Sequence, residues 1–217
     1  MRTGVSGEIA AYHAMHKATA GRVVNQAGFQ VFCAHGLLPP TNRVTRSFSE
    51  AIRDERANRV LDLGCGTGIL ALVASRYARS IVGIDNDMRA VECARLNAAL
   101  NNVNSIEFRQ GNGFEPVEKC QFDLIVSNPP FYPAVNGEIS PSSMCLRGDE
   151  QQDLLFLLIK GISQHLTPAG KCLFVTSSLS DNQLVRKILI ENDLRFNTRL
   201  LSKGRNQVIL LWDSRIK

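Results

Sequence analysis

The sequence predicts an α/β fold: a seven-stranded, mainly parallel sheet with helices on both faces and an antiparallel hairpin at its end. Three observations predict it. From Arg59 onward, short apolar runs alternate with segments of helical period. The early strands are separated by helices of ten or more residues, which fit right-handed crossovers between parallel strands. The last two strands are joined only by about Ser202–Asn206, too short for a crossover, so they pair antiparallel. A chain of 217 residues suits one such domain and is long enough to bury a core.

The elements follow in order. Residues 1–20 read as a helix rich in Ala and Met, and residues 22–33 as a short hairpin or irregular strand. Pro39-Pro40 breaks the chain. Ser47 with Glu50 three residues later forms a capping-box signal for a helix over about 48–56. A first strand, Val60–Leu63, meets a glycine loop and a helix through Leu70, Ala71, Val73 and Ala74. A second strand, Ser80–Ile84, ends at Asp85 and leads to a helix with Val91, Ala94 and Ala98 on one face. Ser105–Arg109 and Phe122–Ser127 are the third and fourth strands. An irregular loop over 132–148 precedes a helix carrying Leu155, Leu158, Ile159, Ile162 and Leu166. Strand Lys171–Thr176, a helix begun by Asp181, and strands Arg195–Leu201 and Gln207–Trp212 complete the Rossmann-like sheet. Two parts result: an N-terminal helix-and-hairpin extension, 1–44, on the substrate side, and a catalytic domain, 45–217.

Composition excludes several classes. Hydrophobic residues are 44% and charged residues 21%, which is ordinary for a globular protein and unlike disordered or collagenous chains. No apolar run reaches the roughly 18–20 residues of a membrane span, and residues 1–20 lack the apolar core of a secretory signal. Six scattered cysteines without a C-x-x-C pair read as reduced thiols of a cytoplasmic protein. The histidines lack metal-ligand spacing, and no metal is expected. The net charge is +5, with basic ends and an acidic middle, a weak lean towards a macromolecular partner. Trp212 and the terminal hairpin are candidates for an interface. Oligomeric state is not legible.

The most informative segment is Asp62-Leu63-Gly64-Cys65-Gly66-Thr67-Gly68, where the first strand turns into the first helix. Ligands of open α/β sheets bind at this carboxyl edge. A dinucleotide site asks for G-x-G-x-x-G, with pyrophosphate at the helix start. This loop reads G-x-G-x-G behind an acid, which repels phosphate and attracts an ammonium, so it suits a nucleoside carrying an amino-acid tail. Asp85, followed by Asn86, stands 17 residues past Gly68, where an acid binds ribose hydroxyls. Asn112-Gly113, after the third strand, falls where an adenine edge lies.

These residues resemble the class I S-adenosylmethionine-dependent methyltransferases over about 45–212. The resemblance implies S-adenosylmethionine as cofactor and S-adenosylhomocysteine as product. Asp85 would hold the ribose, Asn112 the adenine, and the glycine loop the methionine portion. Asn128-Pro129-Pro130-Phe131 ends the fourth strand at the same edge. Its prolines remove N–H donors, which leaves the Asn128 side-chain oxygen and the Pro129 carbonyl as acceptors beside a flat ring. Acceptors beside an aromatic wall suit a planar –NH2 group. The motif looks like that of amino-methyltransferases acting on adenine N6, guanine N2 or a glutamine amide.

With Pro39-Pro40, Thr45 and the run Met144–Glu150, the layout is similar to the release-factor glutamine methyltransferase family and its small-domain relatives. That resemblance implies an N-methyltransferase, with a glutamine-amide protein substrate first and a nucleobase or small metabolite as alternatives. A non-catalytic nucleoside-binding subunit is the alternative of another class. Tyr132, Arg147 and Glu150 are candidates to touch substrate, because the 132–148 loop would roof the site.

Overall fold

The computed structural model describes residues 14, 17–129, 154–178, 180–204 and 208–217. Residues 17–19 are helical, and two strands follow, β1 (Val23–Gln26) and β2 (Phe29–Phe32), paired antiparallel as a separate sheet. Their two-residue turn is Ala27-Gly28, both with positive φ (51° and 80°), the conformation whose twist suits a tight hairpin.

Helix α1 (Arg43–Ile52) begins earlier than the Ser47/Glu50 signal suggests. Asn42 caps it instead: its side chain accepts from Thr45 N at 2.9 Å, which satisfies one of the open amides of the first turn. Val44, Phe48 and Ile52 then recur at helical spacing on the buried face.

The main sheet holds β3 (Arg59–Leu63), β4 (Ser80–Asp85), β5 (Ile106–Gln110), β6 (Phe122–Ser127), β7 (Leu166–Ser177), β8 (Leu194–Lys203) and β9 (Val208–Ile216). Their order is β5-β4-β3-β6-β7-β9-β8. The first five in that order are parallel, and β9 is antiparallel to both β7 and β8. Helices α2 (Ile69–Ala74), α3 (Met88–Leu100), α4 (Leu154–His165) and α5 (Asn182–Glu191) complete the layers.

Leu166 is the first residue of β7, not the last of α4. It is fully buried and pairs with Phe122, and the register then shifts so that Leu124 faces Lys171. Pro168 in the skipped stretch lacks an N–H for regular pairing. Trp212 is likewise placed inside rather than at an interface. It is fully buried, stacks on Phe174 at 5.7 Å, and donates from Nε1 to Thr176 Oγ1 at 2.8 Å.

Two cores flank the sheet. One holds Phe48, Val60, Leu72, Val91, Phe108 and Val126; the other holds Leu61, Ile84, Phe122, Ile159 and Trp212. Strand β3, an interior strand between β4 and β6, is buried on both faces. Strand order reverses between β3 and β6, so a crevice opens at their carboxyl ends.

Candidate functional site

A cavity of about 620 Å³ occupies that crevice, within the size range of sites for small ligands and cofactors. Its floor is stitched together by backbone. Gly64 N and Cys65 N both donate to Ile84 O, at 2.8 and 2.9 Å, and Gly111 N donates to Asp85 O at 3.0 Å. Ser127 Oγ donates to Leu63 O at 2.7 Å, which ties β6 to β3 at the point where the strand order reverses.

Two glycines of the loop serve different ends. Gly68 caps α2 in a left-handed conformation, φ 77°. A Cβ there would lie 2.9 Å from the Ala94 Cβ and 3.2 Å from its Cα, so glycine lets α3 pack against the loop. Gly66, φ 53°, would meet nothing within 4 Å. The space beside it is the cavity, whose wall includes Gly64, Cys65, Gly66 and Thr67 but not Gly68.

Asp85 ends β4 on the cavity wall. Its Oδ2 accepts from Gly66 N at 2.9 Å and its Oδ1 from Asp87 N at 3.0 Å. A carboxylate offers about four lone-pair positions, so acceptor capacity remains for a pair of hydroxyls. Burial raises its pKa above the ordinary value, Asp87 adds to the rise, and the backbone N–H donors oppose it. Asp87 itself caps α3 through Arg89 N and pairs with the Arg89 guanidinium at 2.6 Å, which lowers its pKa. Asn86, Asn112 and Gly113 also line the cavity.

Asp62 stands apart from this group. It is fully buried, absent from the cavity wall, and accepts from Ala71 N at 3.0 Å through Oδ2. It anchors the first turn of α2 from below the loop. Burial pushes its carboxyl up to about 7, and its Oδ1 has no hydrogen-bond partner. Burial raises the Cys65 thiol well above its usual range, with Asp62 and Asp85 adding to it, so the thiol is neutral.

Asn128 follows β6 and lines the cavity. Its Oδ1 is buried and has no hydrogen-bond partner. An unpartnered buried acceptor on a cavity wall asks for a donor from whatever enters. Pro129 is buried. Pro130 and Phe131, with Tyr132, Arg147 and Glu150, lie outside the described residues. Among the described residues no group of His, Cys, Asp or Glu is arranged to hold a metal, and no helix is long and apolar enough to cross a membrane.

One wall is absent from the expected set. Leu37, Leu38, Pro40 and Thr45, ahead of the sheet, also line the cavity. Pro39-Pro40 and Thr45 are legible as family landmarks, but nothing in the local sequence says that this stretch returns to the carboxyl edge.

Comparison with known proteins supplies the context. The family model described as methyltransferase small domain matches residues 21–195. The release factor glutamine methyltransferase of Aliivibrio fischeri is 49% identical over 78 residues, 35% of this chain and 28% of that protein. A putative protein N5-glutamine methyltransferase of Methanocaldococcus jannaschii is 33% identical over 140 residues, 62% of this chain and 70% of that protein. The crystal structure of a ribosomal protein L11 methylase from Lactobacillus delbrueckii superposes with a TM-score of 0.57 at 27% identity, over 78% of this chain and 75% of that one. The chain spans less than half the length of the first two release factor methyltransferases that it matches.

Proposed function

The chain belongs to the methyltransferase small domain family, and from that premise we propose that it transfers a methyl group from S-adenosylmethionine to a planar amide or amino nitrogen, with a protein glutamine amide the first candidate. The observation that carries the reading is Asn128: it lines the cavity, and its buried Oδ1 has no hydrogen-bond partner.

The residues present fit the cofactor. The Asp85 carboxylate keeps acceptor capacity for ribose hydroxyls, and Asn112 and Gly113 stand beside it for the adenine. Gly66 leaves the loop backbone bare against the cavity. When bound, S-adenosylmethionine supplies an activated methyl group on a sulfonium, so no covalent enzyme nucleophile is required. What the chain supplies is orientation and electrostatics. The Asn128 oxygen accepts one N–H of the acceptor amide and so aims its nitrogen. The Pro129 carbonyl offers a second acceptor. With no N–H at Pro129, the corner presents acceptors and does not compete for the lone pair.

The glutamine amide stands first because several of the matched relatives carry that activity in their names. The test incubates purified protein with methyl-labelled S-adenosylmethionine and an undermodified cell extract, which is then split into protein, nucleic acid and small molecules. Label on protein, released as N5-methylglutamine on digestion, is the expected result. Label confined to nucleic acid or metabolites moves the acceptor to a base amine or a small amine. No label anywhere, with cofactor affinity intact, replaces the enzyme by a nucleoside-binding subunit.

A further inference from the structure

The hairpin β1–β2 is joined to the rest of the chain by an unusual ladder. Strand β2 spends one edge on β1, leaving the outward N–H and C=O groups of Gln30 and Phe32 open. Among the described residues no strand covers them. Asn97 of α3 and Asn101, which caps the end of that helix, take the place of a strand. Asn101 Oδ1 accepts from Gln30 N at 2.9 Å and its Nδ2 donates to Gln30 O at 2.7 Å. Asn97 Oδ1 accepts from Phe32 N at 2.7 Å and its Nδ2 donates to Phe32 O at 3.1 Å. A primary amide carries the same donor and acceptor as a peptide, so spacing i, i+4 on the helix matches alternate residues on the strand.

The two rungs differ in one respect. Asn101 lies near the surface, whereas Asn97 is fully buried. Its Nδ2 also donates to Thr67 O at 2.9 Å, and Thr67 belongs to the glycine loop on the cavity wall. One amide thus grips the last residue of β2 and the loop together. The chain leaving Phe32 is the stretch whose Leu37, Leu38 and Pro40 also line the cavity. Leu37, itself buried, packs on Ala90 and Cys93 of the same helix.

We propose that Asn97 is a positioning residue of the cofactor site: it sets the distance between the glycine loop and the Leu37–Pro40 wall, so that the cavity is held open at the width its ligand needs. The inference rests on the reading of this cavity as the S-adenosylmethionine site. Asn97 itself does not line the cavity and acts only through Thr67 and Phe32.

Asn101 provides the internal control. Asn97→Ala and Asn101→Ala each remove a rung and lower the melting temperature, but only the first cuts the link to Thr67. Calorimetric titration with S-adenosylhomocysteine, far below either melting point, separates a positioning role from a structural one. The expected result is a Kd weakened about tenfold or more by Asn97→Ala, since small misplacement of binding groups is costly, and by less than about threefold by Asn101→Ala, which leaves both walls tied. Equal affinity of Asn97→Ala and wild type overturns the proposal. Amide exchange on the wild-type protein tests it without any variant: S-adenosylhomocysteine should slow exchange at Phe32 and Leu37 more than at Gln30, and uniform or absent slowing overturns it. Failure of the wild type to bind S-adenosylhomocysteine at all overturns the cofactor reading instead, and the positioning role with it.

Discussion

The carboxyl edge of the sheet has two halves that treat polar atoms in opposite ways. At β3–β4 the polar groups on the cavity wall are satisfied from within, the unpartnered Asp62 Oδ1 lying off that wall. Asp85 holds two backbone amides, the loop amides of Gly64 and Cys65 share the Ile84 carbonyl, and Asn97 ties the loop to the hairpin. At β6 the Asn128 oxygen is buried and holds nothing. The first half is built before any ligand arrives and is suited to a cofactor that is always the same. The second is left one hydrogen bond short, which under the proposed reading the acceptor amide would supply. Binding energy realised only with the acceptor in place is the kind that orients a reaction.

The largest break in this comparison is Asn128→Ala. Turnover should fall on the order of a hundredfold, the usual scale for one aligned polar contact in a reacting site. Affinity for S-adenosylhomocysteine should stay within about threefold, because the cofactor half is untouched. Single-turnover kinetics beside calorimetry reads both quantities. Retained turnover removes Asn128 from the acceptor side.

Asp85→Asn attacks the other half. The variant keeps one oxygen but sets an NH2 against the N–H of Gly66 or Asp87, leaving a donor unpaired. Cofactor affinity should drop roughly ten- to a hundredfold, the scale of a hydrogen bond to a charged group. The same carboxylate gives a pH dependence. Because its pKa is raised by burial, affinity should fall on acidification at a pH where an exposed aspartate is still ionised. An affinity flat down to the ordinary carboxylate range would count against Asp85 as the ribose ligand.

The two glycines sharpen the contrast within the loop itself. Both have positive φ, so alanine strains either by about 1 kcal/mol. Gly68→Ala adds the collision with Ala94 and should cost about 1–3 kcal/mol more in thermal or denaturant unfolding. Gly66→Ala meets open space, so its stability loss should be the smaller one, while the new methyl group projects where cofactor is expected. The reverse ranking in stability would mean that the loop is not packed as described.

How far these features were legible follows from the range of the interaction concerned. The strand–loop–helix order, Asp85 at a strand end and the reversed last strand rest on local spacing, and they read correctly. The start of α1 did not. Ser47 and Glu50 make a valid signal, but Asn42 captures Thr45 N first, and the helix begins where the earlier cap closes it. Trp212 gave no sign of burial, because its packing partner Phe174 and its hydrogen-bond partner Thr176 lie on another strand. Asn97 was invisible for the same reason. Within α3 it is a polar residue among alanines, and its partners stand 65 and 30 positions away.

Asp62 is where local reading of the loop separates from its packing, and it carries the smallest expected effect. The sequence places an acid beside a cofactor ammonium; the structure buries it under the loop, holding Ala71 N. Burial raises its pKa to about 7 from 3.8, and the nearby Asp85 carboxylate pushes the same way. The folded protein therefore keeps the proton longer than the unfolded chain does. The stability linked to this group is complete below about pH 4 and is lost as pH rises through about 7. Asp62→Asn keeps an acceptor for Ala71 N and removes the buried charge. Its melting temperature at pH 8 should equal or exceed the wild type by about 2–4 °C, the shift expected for ~1 kcal/mol in a domain of this size. The difference should vanish near pH 4, and S-adenosylhomocysteine affinity should be unchanged. A variant that folds as well but binds cofactor distinctly worse would return Asp62 to the cofactor half, reaching it through the Oδ1 atom that has no partner.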